Sequence, residues 1–154
     1  MLRCVSSLRV HMHKRRIRKR FRDVTLKDTK PYVPDVYYGK VLKVYDGDTI
    51  TIGTLINARP CRLSVRLYGI DCPEMKTKCD IEKQAAIYIR DKLREKILDR
   101  FVSLRVHGYD KYGRLLANTY VDGLCIEDWL LSKKYAVPYD GKTKPDTDWS
   151  NVCP

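Results

Sequence analysis

The spacing of apolar residues in this 154-residue chain changes from two to four and back again, and this change restricts the folds that the chain can adopt. Apolar and polar side chains alternate between residues 61 and 70, which predicts a half-buried strand. From Asp80 to Leu98 apolar residues recur every four positions, which predicts a helix. Residues 101–110 and 114–123 are again rich in β-forming residues. The pattern therefore predicts a domain that mixes strands with at least one long helix.

Two more strands and a second helix complete the predicted elements. Residues 36–45 and 49–55 are β-rich runs, and the Asp-Gly pair at 46–47 between them is a strong hairpin signal. Residues 124–135 predict a short helix, with Leu124 among its core-facing residues. This order of elements predicts a mainly β protein of the α+β class, a five-stranded Greek-key barrel of the OB type with two to three helices. An open α+β sheet is the alternative that the same order allows.

Positive charge is concentrated at the N-terminus. The net charge is +12, yet residues 1–22 contain nine Lys and Arg and no acidic residue, whereas the remaining chain has 22 Lys and Arg against 19 Asp and Glu. Such an arm suits contact with nucleic-acid phosphates, because each phosphate that it neutralises releases counterions. A nuclear signal, from the run KRRIRKR, and a mitochondrial transit peptide are the alternatives.

Composition along the chain predicts three regions. Residues 1–34 form a flexible basic arm and linker, because Pro31 and Pro34 interrupt the sequence before the first strand. Residues 35–141 hold all the predicted strands and helices. Residues 142–154 contain prolines and show no periodicity, so they predict an irregular tail.

The cysteines and the hydropathy pattern indicate an intracellular protein. The six cysteines contain no C-x-x-C pair, so a zinc knuckle is not expected. No apolar region of a secretory signal precedes the charged arm, which favours reduced thiols over disulfides. No apolar run approaches the roughly 18 residues of a membrane span, so we expect no membrane segment.

Three carboxylates lie where the predicted strands begin or end. Asp48 follows the predicted turn, which does not itself need a second carboxylate. Asp71 and Glu74 flank a proline directly after the third strand, and the proline leaves the Cys72 carbonyl free of ladder hydrogen bonds. Carboxylate and carbonyl oxygens are the ligands that Ca²⁺ prefers. Asp48, Asp71 and the carbonyl near Cys72 are therefore donors of the kind that a calcium site uses.

Two arginines accompany these carboxylates. Arg66 lies on the polar face of the third strand, and Arg114 directly follows a Lys-Tyr-Gly turn. An arginine fork binds the oxygens of an anion such as phosphate with paired hydrogen bonds, so arginines beside this carboxylate cluster suit a site that takes an anion. Each feature alone has an ordinary structural interpretation, such as an Asp-Gly turn or an Arg after a tight turn. Together they provide the groups that phosphodiester hydrolysis requires.

Four ordered blocks carry a resemblance to a known family. The blocks DGDT (46–49), RLYGIDCPE (66–74), DKYGR (110–114) and AVPYDG (136–141) resemble the staphylococcal nuclease (thermonuclease) family over residues 36–141. The resemblance implies an OB-fold barrel and Ca²⁺-dependent hydrolysis of DNA and RNA. It further implies a preference for single strands and products with 3′-phosphate ends.

The resemblance also implies roles for individual residues. By this resemblance the metal ligands are Asp48, Asp71 and the Cys72 carbonyl, and the phosphate clamp is formed by Arg66 and Arg114. The base or water-orienting group is Glu74. The nucleotide pocket is lined by Lys111, Tyr112 and Tyr139. Cys72 departs from the family, which often has threonine there. Two other functions stay open at this point. One is a non-catalytic nucleic-acid-binding OB module, and the other is a packaging protein that binds through its arm without cleavage.

Overall fold

The computed structural model describes residues 13–152 of the chain. The predictions for the first half of the basic arm, residues 1–12, and for the end of the tail, residues 153–154, lie outside the described residues. The chain divides into two compact units, Met1–Tyr32 and Val33–Pro154. None of the helices within the described range is long and apolar enough to cross a membrane.

The first unit contains a basic helix that the sequence analysis did not predict. Residues 13–21 form helix α1, and all of its side chains are exposed. A short 3₁₀ turn, Leu26–Asp28, follows it, and Asp28 accepts hydrogen bonds from both the backbone and the side chain of Thr25. Exposure on every side leaves the arginines and lysines of α1 free to meet solvent or an anion.

Within residues 33–152 the second unit contains eight strands and two helices. They are β1 (Tyr38–Val44), β2 (Thr49–Ile56), β3 (Arg59–Leu67), β4 (Ile70–Asp71), α2 (Asp80–Ile97), β5 (Phe101–Tyr109), β6 (Leu115–Val121), β7 (Leu124–Cys125), α3 (Ile126–Ser132) and β8 (Val137–Pro138).

Five of these strands form a closed barrel. Strands β3, β2, β1, β5 and β6 pair antiparallel in that order, and parallel pairing of β3 with β6 closes the sheet. The parallel contact joins Val65 to Leu115 and Leu67 to Ala117. This five-stranded mixed barrel with three helices confirms the predicted α+β class and the OB fold, and the alternative of an open sheet was wrong.

The predicted periodicities account for the core. Val65 and Leu67 of β3 are buried inside the barrel, as their alternation with polar residues predicts. Helix α2 spans nearly the predicted range and buries Ile89 and Leu93 completely, which confirms the helix. The prediction fails in the first turn, where the Ile81 side chain is 55% exposed.

The predicted hairpin between β1 and β2 is present, but its glycine is needed for a reason other than the turn conformation that the Asp-Gly signal implies. The connection covers residues 45–48, and the Tyr45 amide donates to the Thr49 carbonyl at 2.9 Å. Gly47 does not adopt a positive φ angle. A Cβ atom there would lie 2.8 Å from the Cys72 Cβ, so glycine is needed because the loop packs tightly against Cys72.

Two further turns fix the register of the neighbouring strands. Asn57 and Ala58 connect β2 to β3 with positive φ angles of 51° and 61°. Asp122 and Gly123 connect β6 to β7 in the same way. Both turns have the backbone of a two-residue hairpin, in which glycine or asparagine is normally favoured.

The last predicted helix is shorter than expected. It covers Ile126–Ser132 rather than residues 124–135, because Leu124 pairs in β7 and is exposed. Lys134 has a φ angle of 58° and lies beyond the end of the helix. The segment after β8 is irregular, yet it contains the buried Trp149.

Candidate functional site

Strand pairing brings the ends of β2, β3 and β6 to one end of the barrel. Thr49 faces Arg66 in the β2–β3 ladder, and the Leu67 amide donates to the Asp48 carbonyl at 2.8 Å. The parallel pairing of β3 with β6 places Arg66 beside Leu116, two residues after Arg114. Asp48, Arg66 and Arg114 therefore lie side by side although 66 residues separate the first from the last.

A second, small sheet adds residues from the end of the chain. Asp71 of β4 pairs with Val137 of β8, and the Tyr139 amide donates to the Gly69 carbonyl at 2.9 Å. This pairing holds the Tyr139 ring against Arg66, with the guanidinium carbon 5.8 Å from the ring centroid. The two-stranded sheet thus forms one side of the site.

These elements enclose a cavity of about 460 Å³. Its lining combines cationic, acidic and aromatic side chains, among them Arg66, Tyr68, Asp71, Glu74, Asp110, Lys111, Tyr112, Arg114, Tyr139, Asp140, Lys142 and Lys144. Asp48 and Cys72 are buried and do not line the cavity.

Arg66 is held between two buried carboxylates. Its Nη1 lies 2.6 Å from Asp48 Oδ2, an ion pair whose angles are not those of a hydrogen bond. Its Nη2 donates to Asp71 Oδ1 at 3.3 Å. Because a buried charge needs a partner, this arrangement pairs Arg66 with both aspartates and aligns the three side chains at the edge of the cavity.

Arg114 is positioned by two residues that the sequence analysis did not single out. Asp110 accepts from the Arg114 Nε at 2.6 Å and from its amide at 2.8 Å. The Thr49 hydroxyl accepts from Arg114 Nη1 and donates to Asp48 Oδ1, each at 2.8 Å. Thr49 therefore links the guanidinium of Arg114 to the carboxylate of Asp48.

The carboxylates of the site differ in their proton affinity. Burial, together with the neighbouring Asp46 carboxylate, raises the pKa of Asp48 to about 6, against the opposing effect of Arg66. Burial also raises the pKa of Asp71, against the effect of Lys144. Burial alone would raise the pKa of Asp110, but hydrogen bonds from Arg114 lower it overall. Asp48 and Asp71 therefore bind a proton more readily than an exposed aspartate does, and Asp110 binds one less readily.

Glu74 lies on an exposed loop at the rim of the cavity. Its side chain is 60% exposed and contacts Lys144 Nζ at 3.0 Å. Its amide donates to Glu82 Oε1 at 3.0 Å, which ties the loop to the first turn of α2. The Lys144 ammonium also lies 3.3 Å from Asp71 Oδ2, so it links the carboxylates of Glu74 and Asp71.

The donor atoms around Asp71 fit a hard divalent cation. Asp71 Oδ2 is buried and has no hydrogen-bond partner, and the Cys72 carbonyl accepts no hydrogen bond within residues 13–152. The described residues contain no cluster of three or more His, Cys, Asp or Glu side chains arranged to hold a metal. The groups that could hold such a cation are the carboxylates of Asp48 and Asp71 and the Cys72 carbonyl.

Every residue predicted for the site lies in or directly behind the cavity. Lys111 and Tyr112 extend from the β5–β6 turn, with the Lys111 ammonium 5.1 Å and the Arg114 guanidinium carbon 5.5 Å from the Tyr112 ring. The Cys72 thiol is buried, and burial raises its pKa well above the ordinary value, so it stays neutral.

Sequence reasoning missed three residues at the site: Thr49, Asp110 and Lys144. Asp110 had a local signal, since an aspartate at the start of a D-K-Y-G turn accepts amides of that turn. Lys144 had none, because it lies in a segment without periodicity.

The barrel and its cavity define the class of protein, an OB-fold domain with a charged site of carboxylates and arginines at one end. A comparison with family profiles matches residues 64–151 to the family described as staphylococcal nuclease homologues. The match covers more than half of the sequence, and the chain belongs to this family.

Individual relatives are distant. A protein of Escherichia coli O157:H7 named uncharacterised endonuclease is 27% identical over 104 residues, which are 67% of this chain and 61% of the relative. A protein of the same name from Escherichia coli has the same values. A Bacillus anthracis protein, named as uncharacterised, is 30% identical over 103 residues, 64% of this chain and 46% of the relative. The chain spans less than two thirds of the length of these relatives.

Proposed function

We propose that this chain is a nuclease that hydrolyses the phosphodiester bonds of DNA and RNA, with Ca²⁺ as its metal and 3′-phosphate ends on its products. The observation that carries the proposal is the convergence of Arg66, Arg114 and Asp71 at one cavity, with the buried Asp48 directly behind it and paired with Arg66. Membership of the staphylococcal nuclease homologue family and the endonuclease names of two relatives support it.

The two arginines are proposed to bind the scissile phosphate. Arg66 and Arg114 reach the same cavity from β3 and from the turn before β6. Each guanidinium can donate paired hydrogen bonds to phosphate oxygens, which a lysine cannot do. Negative charge on those oxygens grows in the transition state, so cations placed there in advance lower the barrier.

Asp48, Asp71 and the Cys72 carbonyl would hold the metal. A bound Ca²⁺ would supply positive charge beside the phosphate and help to orient water. Glu74 is proposed to accept a proton from the attacking water or to hold that water in line. Its exposed side chain and its place on the cavity rim suit that role.

Lys111, Tyr112 and Tyr139 are proposed to contact the nucleotide. All three line the cavity, and the Tyr112 ring is exposed. Aromatic rings stack on bases with little dependence on sequence, which suits a nuclease that accepts both nucleic acids and prefers single strands. We further propose that residues 1–22 contact phosphates in an intracellular compartment, with nuclear or mitochondrial targeting as the alternative use of the same charge.

The experiment that tests the proposal incubates the full chain with single-stranded DNA or RNA, in Ca²⁺ or in excess EGTA. We expect cleavage in Ca²⁺ alone, with products that phosphatase treatment converts to 3′-hydroxyl ends. When Arg66 is replaced by lysine, Arg62→Lys is a suitable control, because Arg62 is exposed on the same strand as Arg66 but does not line the cavity.

Binding without cleavage under every condition would contradict the nuclease and favour a non-catalytic OB module or a packaging protein. Cleavage that persists in EGTA would contradict the Ca²⁺ requirement but would still agree with a phosphodiester hydrolase. Products with 3′-hydroxyl ends before phosphatase treatment would contradict the proposed position of bond breakage.

A further inference from the structure

We propose that Lys144 is a tethered cation that competes with the divalent metal for Asp71 while it also pairs with Glu74, so that metal binding requires the ammonium to leave these carboxylates and loosens the loop of residues 140–148. The inference rests on the proposed function, because it concerns the same metal. It adds a regulatory contact within the chain to that function.

The contact is made with one carboxylate proposed to bind the metal and one proposed to act on the attacking water. Lys144 Nζ lies 3.3 Å from Asp71 Oδ2 and 3.0 Å from Glu74 Oε1. Asp71 Oδ2 is the buried oxygen that accepts no hydrogen bond, so the ammonium approaches it as a counter-ion. An ammonium and a divalent cation cannot both lie against this oxygen at contact distance, because like charges there repel strongly.

The ammonium is carried by a loop with few other attachments. Before it, Tyr139 is fixed by its amide hydrogen bond to Gly69, and after it Trp149 is buried. Within the loop, Lys142 bonds to Asp140 and Thr147 to Pro145, so these contacts are local.

Lys144 is therefore the main polar link between the loop and the barrel. Among the ion pairs within residues 13–152, those that join residues 140–148 to the barrel both come from Lys144. Its side chain is 41% exposed, so the ammonium can leave the carboxylates for water at small cost. The loop can then move while its two ends stay attached.

The consequence is a lower apparent affinity for the metal. A ligand that binds only one of two states loses affinity in proportion to the population of the other state. Here the other state is the one in which Lys144 covers Asp71 and Glu74. Removal of the ammonium should therefore strengthen metal binding, even though it adds no new ligand to the site.

The test measures Ca²⁺ binding to the full chain by isothermal titration calorimetry, without nucleic acid. Lys144→Met keeps an unbranched side chain that is one atom shorter and removes its charge. Lys142→Met is the matched control for the loss of a positive charge at the cavity, since Lys142 lies in the same loop and lines the same cavity but is 84% exposed and pairs only with Asp140 within the described residues. We expect Lys144→Met to bind Ca²⁺ about three- to tenfold more tightly than the natural chain, and Lys142→Met to bind it equally.

Two additional measurements separate competition from a general effect of charge. Lys144→Arg should bind Ca²⁺ nearly as the natural chain does, because the cation is kept. Hydrogen exchange at residues 140–148 should become faster when Ca²⁺ is added to the natural chain, and much less so in Lys144→Met.

Equal or weaker Ca²⁺ binding by Lys144→Met would overturn the inference, as would equal strengthening by Lys142→Met. If Ca²⁺-dependent cleavage occurs while Lys144→Met binds Ca²⁺ unchanged, the inference fails and the proposed nuclease stands. If neither the natural chain nor Lys144→Met binds Ca²⁺, both the competition and the proposed metal are wrong.

Discussion

The guanidinium of Arg66 lies 2.6 Å from the carboxylate of Asp48, and both side chains are almost fully buried. The pair joins a residue proposed to bind phosphate to a residue proposed to bind the metal. In the absence of both ligands the two charges neutralise each other, which offsets part of the desolvation that each would otherwise suffer. Binding of phosphate and metal would then separate the pair, so the two ligands should bind cooperatively.

Replacement of Arg66 by lysine should reduce turnover more than substrate affinity. Lysine keeps the charge beside Asp48 and Asp71 but cannot donate two aligned hydrogen bonds to a phosphate. We expect kcat to fall by about 100-fold, with a much smaller change in KM, because the lost bonds are strongest in the transition state. Steady-state kinetics with Arg62→Lys as the control measures this. If Arg66→Lys keeps the kcat of the natural chain, the proposed role of Arg66 in the phosphate clamp is wrong.

The pH dependence of stability should carry a contribution from Glu127. Burial raises the pKa of this residue from its ordinary 4.5 to about 7, although the Thr119 amide donates to the carboxylate at 2.9 and 3.1 Å. Between these two pH values the folded chain keeps a proton that the unfolded chain releases. The free energy of unfolding should therefore fall as the pH rises from 4.5 to 7, by up to about 1.4 kcal/mol per unit of pH.

Urea unfolding of the natural chain and of Glu127→Gln at pH 4.5 and pH 8 tests this contribution. Glutamine keeps an acceptor for the Thr119 amide but has no proton to lose in this range. The difference in stability between the two pH values should shrink in Glu127→Gln and stay unchanged in Glu95→Gln, which alters an exposed glutamate of α2. An unchanged pH dependence in Glu127→Gln would contradict the buried, proton-binding carboxylate.

The turn between β2 and β3 contains a residue in an unfavourable conformation. Ala58 has a φ angle of 61°, a region that costs a residue with a Cβ atom roughly 1–2 kcal/mol. Ala58→Gly should remove this cost. Part of the resulting stabilisation is lost again, because glycine has more conformational freedom than alanine in the unfolded chain. We expect a net stabilisation of about 0.5–1 kcal/mol in thermal unfolding, and a loss of stability in Ala58→Val. A destabilised Ala58→Gly would show that the turn has another conformation in solution.

The sequence predicted the barrel because local patterns and tertiary structure agree along most of the chain. Val65 and Leu67 alternate with polar residues and face the core, and Ile89 and Leu93 repeat at helical spacing and pack on it. Ile81 follows the same helical pattern and is nevertheless exposed, because which turns of a helix meet the core depends on the tertiary structure.

The site was predictable where its residues stand next to turns and strand ends, and not where it depends on long-range contacts. Asp48, Asp71 and Arg66 could be identified from the strand pattern and from the resemblance of four short blocks. The hydroxyl bridge through Thr49 depends on an atom of Arg114 that is 65 positions away. Lys144 reaches Glu74 over 70 positions from an irregular loop, and periodicity contains no information about such a contact.

The basic arm should affect binding and leave catalysis unchanged. Every proposed site residue lies between Asp48 and Lys144, whereas the nine positive charges of the arm lie in residues 1–22. Deletion of residues 1–30 should flatten the salt dependence of binding to single strands by several units, since each neutralised phosphate contributes about −0.7 to the slope. Turnover at saturating substrate should stay the same. An unchanged salt slope with an altered cellular distribution would instead make the arm a targeting signal.

The most direct test of the account compares Asp48→Asn with Asp46→Asn in Ca²⁺-dependent cleavage. Both changes neutralise one carboxylate in the loop before β2, but the Asp46 side chain serves as an acceptor for the Asp48 amide at 3.1 Å, which an asparagine oxygen can replace. We predict that Asp48→Asn weakens Ca²⁺ binding and lowers the cleavage rate by at least about 100-fold in a folded protein, whereas Asp46→Asn stays within a few-fold of the natural chain. Full activity in Asp48→Asn, with thermal unfolding unchanged, would contradict the proposed metal site.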